Sequence, residues 1–213
     1  MNLNLKRAAI LPIAFFCFSN VNLAQETKPT PAPTVKPAAP ATQPSPQTSP
    51  APNPFANIPP AKPEDVATID GMVKAIYEVI SGDPGVKRDW NRFRSLFYPN
   101  AKMIPTGKNR NTGKAGGRFM TPEEYIASSG PFLEKEGFHE IGIASRVEQF
   151  GNIAHVFTTY QSKHKLTDEK PFMRGINSIQ LVNDGTRWWV LNIAWSQETP
   201  DSPIPEKYLK SAQ

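Results

Sequence analysis

Cysteine is almost absent from this 213-residue chain: Cys17 is the only one. It lies in an N-terminal segment with the pattern of a secretory signal, so the mature chain would hold no thiol. That excludes disulfides, thiol nucleophiles and cysteine-ligated metals, and it leaves stability to the core. Histidine is also scarce. His139, His155 and His164 lack the close spacing of a motif such as HExxH, so no metal is expected. A phosphate-binding signature is missing too. Gly107 and Gly113-Lys114 are separated by five residues rather than four, and Ala115 follows the lysine, so the glycine-rich segment 105–118 is not a P-loop. No cofactor is expected.

The N-terminus has the three parts of a signal peptide over residues 1–24. Lys6 and Arg7 form a positive start, residues 8–18 form an apolar stretch broken only by Pro12, and Ala24 offers a cleavage point before Gln25. The apolar stretch is too short to span a bilayer stably. The expected location is therefore periplasmic or secreted, with no membrane attachment after cleavage. Two other readings stay open. One is an uncleaved anchor. The other is a lipoprotein using Cys17, against which Phe15 and Phe16 stand where small residues are needed. Cleavage removes two cations and no acid, taking the net charge from +5 to +3. That mild excess, together with export, argues against a nucleic-acid partner.

Residues 25–63 form a proline-rich linker: 13 of the 23 prolines fall between Pro29 and Pro63, mixed with Ala, Thr, Ser and Gln. Without a hydrophobic period such a segment does not offset its ordering entropy, and close prolines favour an extended spacer. Docking to a proline-binding partner is the alternative reading.

Residues 64–213 have the size of one domain. Val66, Ile69, Val73, Ile76, Tyr77 and Ile80 recur at helical spacing and predict a helix over 63–81. A second helix is expected over 89–97, capped by Asp89, and then a short strand over 101–104. Thr121-Pro122-Glu123-Glu124 is a capping box opening a third helix, which Ser129-Gly130-Pro131 would kink or interrupt. Four strands follow, over 138–150, 153–163, 173–182 and 187–197, with hairpin signals at Gly151-Asn152 and Asn183-Asp184-Gly185. Helices first and a strand meander later predict an α+β domain with the helices on one face of a curved sheet.

This order resembles the NTF2-like (SnoaL-like) superfamily. The residues that carry the resemblance are 89–97 leading into Ala101, Gly151 to Phe157, Arg174 to Leu181, and Gly185 to Trp195. The resemblance implies three N-terminal helices packed on a strongly curved, mainly antiparallel sheet that encloses a conical pocket. It also implies homodimers joined through the sheet. Because this fold hosts enzymes and plain binding modules alike, it does not fix a function.

Strand alternation places candidate groups. Trp189, Leu191, Ile193 and Trp195 fall on one face of the last strand, with Trp188, Val190, Asn192 and Ala194 on the other. Both faces are apolar, which fits one lining a pocket and one covered by a partner subunit. His155 lies with Ile153, Phe157 and Thr159, and His139 with Ile141, Ile143 and Val147; each is a candidate general base or a hydrogen-bonded core residue. His164, at a strand end, is expected to face solvent. By the resemblance, Asp89 is a candidate pocket acid with Tyr77 as polarising donor, and helix capping is its ordinary alternative. Trp90, Trp189 and Trp195 are candidate ligand contacts or core, and Arg174, Asn177 and Asn192 are candidates to orient a ligand or to stitch the sheet. Three functions remain: binding a small apolar or amphipathic ligand, a dehydratase- or isomerase-type enzyme using a pocket Asp or His, and an envelope scaffold.

Overall fold

A computed structural model describes residues 53–109 and 111–211. The expected signal sequence, Cys17 and the linker up to residue 52 lie outside the described residues. The helical period over 63–81 yields two helices, α1 (Pro63–Val66) and α2 (Ile69–Ile80), because Thr68 is extended and caps α2 by accepting from Gly71 N–H at 3.0 Å. The short α3 (Trp90–Ser95) leads directly into β1 (Phe97–Lys108). This strand is far longer than expected. Pro99-Asn100 does not stop it but makes a bulge, with Asn100 at φ 65° and the register shifting between Phe97 and Lys102. The basic glycine-rich segment, expected as a loop, is partly a hairpin: β2 (Ala115–Gly117) folds back antiparallel on Thr106 to Lys108.

Next comes α4 (Pro122–Glu136), which runs through Pro131 without interruption. Pro131 is exposed, and the bare face of Gly130 lies against Trp90; a Cβ there would come 3.0 Å from the indole ring. The capping box forms as expected, with Glu124 N–H donating to Thr121 Oγ1 at 3.1 Å and Thr121 N–H to the Glu124 carboxylate at 2.7 Å. Thr121→Ala should cost about 1 kcal/mol in urea unfolding, and Thr121→Ser should restore most of it.

Then β3 (His139–Phe150), β4 (Ile153–Lys163), β5 (Met173–Asn183) and β6 (Trp188–Gln197) form the meander, with bounds within one residue of those expected. The six strands lie in the order β2-β1-β6-β5-β4-β3, antiparallel except where β1 runs parallel to β6. Bulges also interrupt β3 at Ile143 and β6 at Leu191, and they bend the sheet. The core fills the space between the inner face and the helices, through Met72, Ile76, Phe93, Leu96, Ile179 and Val190 among others.

The β6 bulge changes the parity expected for the last strand. Leu181 pairs with Val190 but Gln180 with Asn192, so Leu191 is the extra residue. Trp188, Val190, Ile193 and Trp195 consequently share the core side, while Trp189, Asn192 and Ala194 lie on the outer face. Trp189 is covered from an unexpected direction. Phe55, in the stretch read as linker, packs against Tyr98 and Trp189 with ring centroids 5.1 and 5.5 Å away. The packed body therefore starts before residue 64.

Candidate active site

The inner face of the sheet carries a polar cluster at its β3–β4–β5 end. Glu140 is the second residue of β3, Thr158, Tyr160 and Ser162 alternate along β4, and Asn177 comes from β5. Ladder pairs put these side chains on one face: Glu140 opposite Ser162, and Thr158 opposite Asn177. Tyr77 reaches in from α2 and Tyr125 from α4, with Trp195 of β6 edge-on to Tyr125 at 6.1 Å. Two glycines admit the tyrosines. A Cβ on Gly142 would lie 2.9 Å from the Tyr77 ring, and one on Gly175 would collide with the Tyr160 hydroxyl.

Glu140 is held from three sides. Asn177 Nδ2 donates to its Oε1 at 3.1 Å, Ser162 Oγ donates to its Oε2 at 3.2 Å, and its backbone N–H donates to Ser81 Oγ at 3.0 Å. Asn177 Nδ2 also lies 3.4 Å from Tyr77 Oη, which in turn is 3.0 Å from Thr158 Oγ1. The carboxyl is enclosed, although the residue keeps some accessible surface. Burial pushes it up to about 7, only partly opposed by the Asn177 and Ser162 hydrogen bonds. Burial, reinforced by the Glu140 charge, also holds the Tyr77, Tyr125 and Tyr160 hydroxyls well above the ordinary tyrosine range, so they stay protonated donors. A carboxyl that exchanges its proton near neutrality, beside neutral donors, can take a proton from a bound molecule or give one to it.

Of the residues expected from sequence, Tyr77, Asn177 and Trp195 belong to this cluster and the others do not. Asp89 is exposed and caps α3, accepting from Arg92 N–H at 2.9 Å. His139 is buried but points away from Glu140, since neighbours on a strand face opposite sides; its Nε2 lies 2.9 Å from Asp83 Oδ1 and ties the 82–85 turn to β3. The bulge at Ile143 also separates it in parity from Val147. His155 lies on the outer face, 2.9 Å from Ser178 Oγ and 3.6 Å from the Glu148 carboxylate. His164 is not simply solvent-facing: its ring stacks on Phe172 at 4.2 Å and its Nδ1 is 3.1 Å from Gly137 O. Trp90 is wedged between α3 and α4 and donates to Glu134 at 3.1 Å. Arg174 forms a two-point ion pair with Glu198 at 2.8 and 3.1 Å, anchoring the tail. Asn192 is on the outer face.

Glu140 was missed by the sequence reading. Its neighbours His139 and Ile141 drew attention to the opposite face of β3, and the signal that could have found it is parity with Gly142, two residues on. A separate recess of about 260 Å³ lies on the outer face under the C-terminal tail, lined by Phe157, Ile176, Ala194, Pro203 and Ile204. The one titratable side chain on it, Glu198, is already paired with Arg174. Among the described residues, no three His, Asp or Glu side chains converge to hold a metal ion, and no helix is long and apolar enough to cross a membrane.

No protein-family model and no curated protein matches the chain. Similar solved structures include an NTF-2-like protein of unknown function from Silicibacter pomeroyi, 14% identical, covering 62% of this chain and 94% of that one at a TM-score of 0.45. A protein of unknown function with a cystatin-like fold from Nostoc punctiforme is 10% identical over 64% and 92%, at a TM-score of 0.47. Hexachlorocyclohexane dehydrochlorinase LinA-type3 from Novosphingobium barchaimii is 12% identical over 62% and 86%, at a TM-score of 0.46. Likenesses this distant carry no argument about activity. By its own element order, its helices on one face and its bent six-stranded sheet with β1 parallel to β6, the domain is an α+β domain.

Proposed function

We propose that the domain opens between its inner sheet face and its helices to bind a small, partly apolar molecule beside Glu140 and moves a proton on it, with Glu140 as the acid–base group. One observation carries this reading. The Glu140 carboxyl sits enclosed between the inner sheet face and the helices with Asn177 and Ser162 as its hydrogen-bond partners, and among the described residues no Lys or Arg is paired with it. A carboxylate kept for structure alone is ordinarily paired with a cation. Ionised Glu140 takes a proton from carbon or oxygen of the substrate. Tyr77 O–H and Asn177 N–H stabilise the negative charge that develops, and the protonated carboxyl returns the proton at a second position or to a leaving group. The reaction classes that fit are isomerisation and elimination. Trp195 and Tyr125 offer flat apolar surface to the rest of the molecule. Residues 1–24 support action outside the cytoplasm.

The test uses the full chain purified from its own host. Native mass spectrometry reads both a retained small molecule and the mass loss expected for cleavage after Ala24. The released molecule is then returned to wild type and to Glu140→Gln in deuterated water. Wild type should incorporate deuterium into the ligand, and Glu140→Gln should bind the ligand but exchange it at least about 100-fold more slowly. Equal exchange by both proteins would remove Glu140 from the chemistry. Binding by both without exchange would make the domain a carrier rather than an enzyme.

A further inference from the structure

The resemblance implied dimers formed face to face through the sheet. In this chain the tail beyond β6 crosses that outer face. Tyr208 packs on Phe157 with centroids 5.0 Å apart and its carbonyl accepts from Thr159 Oγ1 at 2.5 Å; the Lys207 carbonyl accepts from Arg146 Nη2 at 2.6 Å. What stays open is the edge of the sheet. Among the described residues β3 is the last strand, with no strand beyond it, and it exposes Ile141, Ile143, Val147 and Phe150. Phe150 is 86% exposed and adjoins Ile153 at 59%. A long, apolar edge strand covered only where the tail meets Ser145 is a template for another strand, and natural proteins ordinarily blunt such edges.

We infer that the occupant is a second copy of this chain, pairing β3 antiparallel to β3 about a two-fold axis at Val147. In an antiparallel ladder, alternate residues turn both backbone groups to the same side. The Ser145 N–H, which reaches Ser211 Oγ at 3.2 Å rather than β4, marks Ser145, Val147 and Gln149 as the outward set. With Val147 opposite Val147, the outer-face neighbours become Arg146 against Glu148 of the second copy and Ala144 against Phe150, each twice by symmetry. Opposite charges meet, and apolar side chains meet apolar side chains. Shifting the axis by two residues to Ser145 would set Arg146 against Ala144 and Glu148 against Gly142, and both charge pairs would be lost. The Arg146 guanidinium is tied to the tail through Lys207 and Tyr208, but among the described residues its Nε has no hydrogen-bond acceptor, so a donor is left for such a partner once the guanidinium turns outward. The Glu148 carboxylate is 85% exposed and is shared only with His155 at 3.6 Å. An unrelated strand would not be self-complementary in this way. The Ser145–Ser211 bond must open for the full ladder to form.

The test is made on the full chain with Cys17→Ser, so that an introduced cysteine is alone. Val147→Cys should give a disulfide-linked dimer under mild oxidation, because directly opposed strand residues lie within disulfide reach. Gln149→Cys should not, since its two copies would be about 13 Å apart. In analytical ultracentrifugation, Arg146→Glu should weaken association at least about tenfold by placing like charges opposite each other, and Arg146→Glu with Glu148→Arg should restore it. A chain that stays monomeric to its solubility limit would overturn the inference. So would a dimer that crosslinks as well through position 149 as through position 147, or one in which the double exchange fails to restore what the single reversal removed.

Discussion

Glu140→Gln should flatten the fall in stability that wild type shows between about pH 4.5 and pH 7.5. In the folded protein the carboxyl rises from its ordinary 4.5 to about 7. A carboxyl raised on folding favours the native state fully below its unfolded value, and that contribution is lost as the pH rises through the folded value. The shift corresponds to roughly 3 kcal/mol. Other carboxylates act with the opposite sign and at lower pH. The Arg92 guanidinium holds Asp65 down, Arg94 does the same for Glu123, and Arg174 for Glu198, so their stabilisation is present above the ordinary carboxylate range and fades only as the pH drops below it. Subtracting the variant's stability curve from that of wild type isolates Glu140. Glutamine suits the comparison, since its oxygen can still accept from Asn177 while its amide donates to a rotated Ser162 hydroxyl. Urea unfolding from pH 4 to 8 should show the two proteins converging at the acid end, with the variant the more stable at pH 8. A wild type whose stability rises steadily across this range would contradict the assignment.

Arg88→Met should be the most damaging change outside the apolar core, at about 4 kcal/mol. Arg88 is buried, and its donors go to four backbone carbonyls: Nε to Ile80 at 3.0 Å, Nη1 to Val86, and Nη2 to Gly82 at 2.7 Å and Leu133 at 2.8 Å. Ile80 ends α2 and Leu133 is near the end of α4, so one guanidinium satisfies unpaired carbonyls at two helix C-termini, where a positive charge is also favoured. Methionine fills part of the volume and leaves those acceptors buried without a donor. Lysine should recover less than half of the loss, because one ammonium cannot reach a fork of four acceptors. Comparing the unfolding midpoints of Arg88→Met and Arg88→Lys measures this directly; a near-complete rescue by lysine would mean that charge, not the fork, matters.

Arg88 also shows what a single sequence hides. Lys87-Arg88 reads as an exposed basic pair after a turn, and nothing local shows that two helices end around it. Short-range chemistry, by contrast, was legible. The Thr121–Glu124 capping box, the Asp89 cap, the Gly151-Asn152 and Asp184-Gly185 hairpins and both ends of β4 follow from residues a few positions apart. Bulges were not legible. Those in β3 and β6 each insert one residue and reverse parity beyond it, so Ile193 and Trp195 joined Trp188 and Val190 on the core side, and the single extra residue Leu191 changed which residues of the strand share a face. At Pro99-Asn100 a turn signal became an irregularity inside β1, which steps five residues from Phe97 to Lys102 while β6 steps two. The candidate site was half visible. Tyr77, Asn177 and Trp195 were chosen for their chemistry, but Glu140 is identified only once three strands and two helices converge on it. The histidines drew the acid–base reading by residue type, whereas Glu140 becomes a candidate only through its burial.

The most direct test of the central claim is the side-chain carboxyl titration of Glu140 in the full chain, followed by NMR on carbon-13-labelled glutamate and assigned by the resonance that Glu140→Gln removes. The account predicts a midpoint near 7, against the ordinary 4.5 of an exposed glutamate. A midpoint at the ordinary value would contradict it, because a carboxyl already ionised in mild acid is not enclosed and would not exchange its proton at neutral pH as the proposed chemistry requires.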